Sequence, residues 1–317
     1  MKIYFTVIGL VLFSLTSVAQ AIPSKAEGFE YFVTFGKQAE ASWGDDDFSQ
    51  TIFFIIPKNY TKPFYIRIFD PEVGGMHDEK KGDFNTYTRF TLYGGKGAHS
   101  NKAARSIDPI PGYNSGVRIY SKTFGGQPQY DNKFYVMGPF KPIDGEYDAN
   151  MGGYIFKITV DGVKGDDGNL YNFFLSSQSN SNVSIDGANA FTYEYALRLK
   201  SDGGVSHIYP FIDAGLSSVI LYNFDYDKDG EVYVYTVSKN RHVSAVSADN
   251  VWAKQAHKMT KAEHNTSMDV QLFNKKGVNN NVTVYVLNQY EDAVGFFSVP
   301  IGGVPKYRYK VKVNITQ

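Results

Sequence analysis

The chemistry this chain displays most openly is that of carboxylates gathered in turns. Asp225, Asp227 and Asp229 stand at alternate positions ahead of Gly230. A hard cation such as Ca²⁺ takes several oxygen ligands, and a tight turn is a compact way to present them. Two further stretches repeat the pattern. Asp70, Glu72, Asp78 and Glu79 surround Gly74-Gly75, and Asp161, Asp166, Asp167 and Asn169 fall within nine residues. Neighbouring carboxylates repel one another unless water or a cation lies between them. The expected metal ligands are therefore Asp225, Asp227 and Asp229; Asp70, Glu72 and Asp78; and Asp161, Asp166, Asp167 and Asn169. The expected cofactor is structural Ca²⁺, because oxygen-rich sets without an imidazole cluster suit hard cations.

The first stretch resembles the front half of an EF-hand loop, with Asp225, Asp227, Asp229 and Gly230 in the right order. Thr236 stands where that loop needs a bidentate glutamate, and the flanks do not read as helices, so an EF-hand is excluded. What remains is an Asp-rich turn completed by a neighbouring loop, or a solvated Asp-Gly hairpin. The 70–79 and 161–169 segments each border an expected strand. They could meet at one end of a sandwich, as the polar loops of C2-like sandwiches do.

Covalent catalysis finds little to work with. The chain has no cysteine, which removes thiol nucleophiles and zinc–thiolate sites. There is no G-x-S-x-G elbow and no H-E-x-x-H pair, and the six histidines lack metal-ligand spacing. One enzymatic reading survives, that of a jelly-roll polysaccharide lyase. Such an enzyme needs a Tyr or His base beside a neutralised uronate carboxylate. Tyr87, Arg89, His99 and Tyr135 are the candidates; ordinary strand residues are the plainer alternative for all four.

These residues must be held by strands. Short alternating or apolar runs recur every ten to fifteen residues, among them 50–57, 64–69, 88–93, 116–120, 133–137, 154–160, 170–175 and 192–199. A second series follows at 218–224, 231–237, 266–273, 281–287, 295–299 and 307–315. Gly, Asn, Asp and Pro clusters separate them, the signature of antiparallel sandwiches and not of βαβ units. The expected fold is all-β: two tandem antiparallel β-sandwich domains, jelly-roll or C2-like over 22–204, then Ig-like over 205–317. The boundary is the polar stretch Ser201-Asp202-Gly203-Gly204. The segment 247–264 fits either a capped helix or a polar strand.

Lys2, the apolar run 3–18 and Ala19-Gln20-Ala21 read as a signal peptide over 1–21, cleaved after Ala21. The apolar run is short for a membrane span, so no transmembrane segment is expected in the mature chain. The chain is therefore expected to be secreted, periplasmic or on the cell surface, and absence of cysteine favours a bacterial setting. With 32 basic and 32 acidic residues the net charge is zero, which argues against nucleic acid as a partner. Aromatic content is 16%, mostly Tyr and Phe, which serve both strand packing and contact surfaces. The leading expectation is a non-catalytic, calcium-stabilised protein that binds a polysaccharide or a surface protein. The alternatives are the lyase and a structural subunit of a surface assembly.

Overall fold

The computed structural model describes residues 20–303. Most of the expected signal peptide and the expected strand at 307–315 lie outside the described residues. Within them the chain is all-β and antiparallel, with four short 3-10 turns as its only helical pieces.

The largest sheet has nine strands. Its order is β18 (Trp252–Lys258), β15 (Ser218–Phe224), β21 (Asn281–Asn288), β12 (Glu194–Arg198), β2 (Phe32–Phe35), β10 (Gly168–Ser176), β4 (Phe64–Phe69) and β7 (Phe134–Phe140). A two-residue strand, β1 (Ala21–Ile22), pairs with β10 beside β2. A second sheet runs β22 (Phe296–Phe297), β11 (Asn189–Thr192), β3 (Ser49–Pro57), β9 (Gly153–Lys164), β5 (Tyr87–Gly94) and β6 (Val117–Phe124). The short β8 (Glu146–Asp148) pairs with β9. The third sheet is β13 (Val205–Ile208), β20 (Asp269–Asn274), β16 (Gly230–Tyr235) and β17 (His242–Ser244). The pair β14 (Phe211–Ile212) and β19 (Thr266–Ser267) completes the set.

After residue 204 the described chain forms ten strands, three of them (β15, β18 and β21) in the nine-stranded sheet and four in the third sheet. The two halves share hydrogen-bonded backbone. Strand β12 from the first half pairs with β21 from the second over five residues, from Glu194–Tyr285 to Arg198–Asn281. One hydrophobic cluster contains Phe54, Phe90, Tyr171 and Tyr195 together with Val219, Leu221, Val270 and Val284.

Strand patterning follows from which faces are covered. In β3, Ile52, Phe54 and Ile56 enter the main core, while Phe53 and Ile55 enter a second cluster with Ile155, Phe191 and Phe297. A strand buried on both sides has no need to alternate, hence its continuous apolar run. In β15 the pattern does alternate. Val219 and Leu221 point into the core, whereas Ile220 and Tyr222 are half-exposed. The ambiguous segment 247–264 is a strand, β18, followed by a 3-10 turn at Lys261–Glu263. Gln20 and Ala21 are built into the fold: Ala21 pairs with Phe174, and the Gln20 side chain bonds Ile185 and Ala188.

Candidate functional site

The outer face of β18–β15–β21–β12 carries a concentrated aromatic surface. Strand register places Lys254, Tyr222, Tyr285 and Glu194 in one row across the four strands. Directly opposed residues point to the same face, and that face is the one turned away from Leu221 and Val284. Tyr222 and Tyr285 are stacked, with centroids 4.6 Å apart and planes 22° apart. Trp252 lies 4.8 Å from Tyr285 and 5.1 Å from Phe224, and it is 37% exposed. The Lys254 ammonium stands over Tyr222 at 5.8 Å.

Carboxylates border this platform. Asp46 lies beside the Trp252 indole, and its pKa is pushed up to about 6, chiefly by burial. Burial also raises Glu194 well above the usual carboxylate range, with Asp47, Asp46, Asp108 and Asp45 adding repulsion. Asp47 is raised by burial and then by Asp45 and Asp46, and Asp45 stands at about 7. Burial and the neighbouring Tyr222 raise the Tyr285 phenol. Flat π-faces beside acidic groups with raised pKa values can stack on a ring and exchange hydrogen bonds with hydroxyls.

The acidic loops predicted from sequence fall into three groups. The 70–79 and 161–169 segments do meet. Asp78 accepts from Gly74 N–H at 2.6 Å and Leu170 N–H at 2.7 Å, and the Asn169 side-chain amide donates to the Pro71 carbonyl at 3.0 Å. The carboxylates of the second segment are occupied within the protein. Asp167 accepts from the backbone N–H groups of Lys81, Asn85 and Thr86; Asp166 accepts from the Asn85 amide; Asp161 pairs with Arg89 at 3.2 Å.

Asp70 and Glu72 instead face Asp131, with one ligand oxygen of each within 4.8 Å of the others. Burial pushes Asp70 up to about 6 against the N–H of Asn132, and it raises Glu72 as well. In the third group Asp225 and Asp227 meet Asp249 over the same 4.8 Å limit, while Asp229 turns away to pair with Lys275 at 2.5 Å. Asp227 and Asp249 are exposed, so water can serve them.

The four lyase candidates are not brought together. Tyr87 begins β5 and His99 lies in the loop past its far end, so most of the length of the strand separates them. His99 is buried against Phe53 and Phe191, with its Nε2 3.0 Å from the Tyr193 hydroxyl and its Nδ1 3.5 Å from Asp148. Arg89 holds Asp161. The Tyr135 ring packs on Phe124 and Tyr130, and its hydroxyl meets that of Tyr120 at 2.5 Å. Sequence reasoning missed Asp131, Asp249 and the platform. Register is what assembles the platform, and its one sequence signal was the alternation of Trp252, Lys254 and Ala256.

No family model matches this chain, and no curated protein matches it. Among solved structures, the N-terminal CBM22-1–CBM22-2 tandem domain of Xyn10C from Paenibacillus barcinonensis aligns with 78% of this chain and 79% of its own. The identity is 8% and the TM-score 0.18, values at which the likeness carries no weight for function.

Proposed function

We propose that this is an exported, non-catalytic protein that binds a polysaccharide on the outer face of β18–β15–β21. The observation that carries the reading is the cluster of Trp252, Tyr222 and Tyr285 on a solvent-facing sheet, with Glu194, Asp46 and Lys254 around it. Sugar rings offer flat C–H faces to aromatic rings and hydroxyls to carboxyl and ammonium groups. The platform supplies both kinds of partner without a core role for its rings. Binding without turnover accords with the dispersal of Tyr87, Arg89, His99 and Tyr135.

Affinity electrophoresis through gels containing neutral or acidic polysaccharides tests this. At least one polysaccharide should retard the protein, and Trp252→Ala or Tyr285→Ala should weaken retention about two- to tenfold, since one aromatic contact is worth roughly 0.5–1.5 kcal/mol. Melting temperature serves as the control for folding. Retention unchanged in both variants, or none on any polysaccharide, would remove the platform from the reading. Unsaturated product absorbing near 235 nm (about the region for unsaturated uronates) would instead favour the lyase.

A further inference from the structure

We infer that Asp70, Glu72 and Asp131 form a Ca²⁺ site that pins the loop after β4 to the loop before β7. The two loops are already laced by backbone bonds. Asp70 N–H donates to the Lys133 carbonyl at 3.0 Å, and Val73 N–H donates to the Gly125 carbonyl at 3.1 Å. Glu72 accepts from Gln127 N–H at 2.7 Å, and Asp70 Oδ1 accepts from Asn132 N–H at 3.0 Å. This lacing carries three carboxylates to within 4.8 Å of one another.

A cluster of acids alone would be unremarkable at a surface, but this one is enclosed. Asp70 is fully buried and Glu72 is 1% exposed. Asp70 Oδ2 is sealed from solvent and receives no hydrogen bond. Buried oxygens of this kind almost always have a partner: a protein donor, an ordered water or an ion. Two more closed oxygens without donors belong to residues that hold the same loop. Gln127 Oε1 is on the residue whose N–H holds Glu72, and Asn169 Oδ1 is on the residue whose amide holds the Pro71 carbonyl.

Among the described residues, no lysine or arginine forms an ion pair with Asp70, Glu72 or Asp131. His77 is the basic group that faces Asp70, and its Nε2 is engaged by Asn132 Oδ1 at 2.6 Å. Asp70 Oδ2, buried without a donor beside two further carboxylates, calls for a positive centre that takes oxygen ligands, although Glu72, Asp70 Oδ1 and Asp131 Oδ1 each accept one N–H. Calcium accepts six to eight oxygens in flexible geometry, whereas magnesium keeps several waters and suits a closed protein cage poorly. The proposal is independent of polysaccharide binding.

The test uses the full exported chain, stripped with EDTA and exchanged into metal-free buffer at neutral pH. Calcium chloride and magnesium chloride are titrated separately, with calorimetry and thermal melting as readouts. The expected result is saturable Ca²⁺ binding and a Ca²⁺-dependent rise in melting temperature. Asp131→Asn should weaken the affinity at least tenfold while leaving the metal-free melting temperature near that of the parent, because Asp131 is half-exposed. Asp227→Asn should leave the affinity unchanged. No saturable Ca²⁺ binding, equal affinity in Asp131→Asn, a loss confined to Asp227→Asn, or preference for Mg²⁺ would each overturn the assignment.

Discussion

Lys157 shows how strongly a single residue can be constrained by its sheet position. It lies in β9 opposite Phe53 and Tyr93, wholly buried, with Nζ donating to the Tyr113 carbonyl at 2.5 Å and facing the Tyr93 ring at 4.9 Å. Burial lowers its pKa from 10.5 to about 8, a difference of roughly 3 kcal/mol between charge states. Between about pH 8 and 10.5 the unfolded chain keeps a proton that the folded chain has released, so this group makes stability rise with pH across that window. Lys157→Met should therefore gain about 1–2 kcal/mol at pH 7, less than the whole difference because the Tyr113 carbonyl loses its donor. Urea midpoints of parent and variant should converge as pH rises from 7 to 10; a constant gap would refute the charge argument. Legibility at this scale was uneven. Asp70 and Glu72 announce themselves two residues apart, but Asp131 comes from the far side of β5 and β6, and only the pairing of β4 with β7 delivers it.

Elements show the same division between local pattern and delivered contact. Glu146 in the three-residue β8 clamps the loop that follows β5. Its carboxylate accepts from Gly97 N–H at 2.9 Å, His99 N–H at 2.6 Å and Ser100 N–H at 2.9 Å. Burial opposes ionisation, but these bonds win and hold the group at about 2, below its ordinary 4.5. Its contribution is thus complete above about pH 4.5 and disappears as pH falls through about 2. Glu146→Ala should cost about 1–2 kcal/mol at neutral pH, discounted for solvent access, and should flatten this part of the acid limb. An unchanged urea midpoint would show that water replaces the clamp. The alternating or doubly apolar strands were readable: 64–69 and 218–224 match β4 and β15 to the residue, and β3 begins one residue earlier than expected. The four-residue β2 was not readable. All four of its residues are buried, including Thr34 against the Tyr171 hydroxyl, so neither alternation nor length marks it.

At the scale of the whole molecule, the polar stretch 201–204 is a weak seam in the sequence but not a break in the sheet. Strand β12 would be an open edge if residues 205–303 were absent, and β21 covers it. Side chains reinforce that contact. Arg198 donates to Glu79 at 2.6 Å and to Asn281 at 2.6 Å, and the Asn281 amide donates to Glu79 and to the Trp43 carbonyl. Composition cannot reveal such a junction, because its two strands are separated by more than eighty residues and neither has an unusual pattern. The sequence offers a direct probe: its two tryptophans are Trp43 in the first half and Trp252 in the second. Single-tryptophan variants, Trp252→Phe and Trp43→Phe, then report each half by fluorescence. With one shared sheet and one continuous core, both reporters should give coincident denaturant midpoints. Arg198→Met should lower both midpoints together by about 2–3 kcal/mol, the usual cost of breaking a largely buried charged pair at the low end of its range. Midpoints that separate in the parent would mean the halves unfold independently, and the β12–β21 ladder would then be a contact between domains and not the spine of one folding unit.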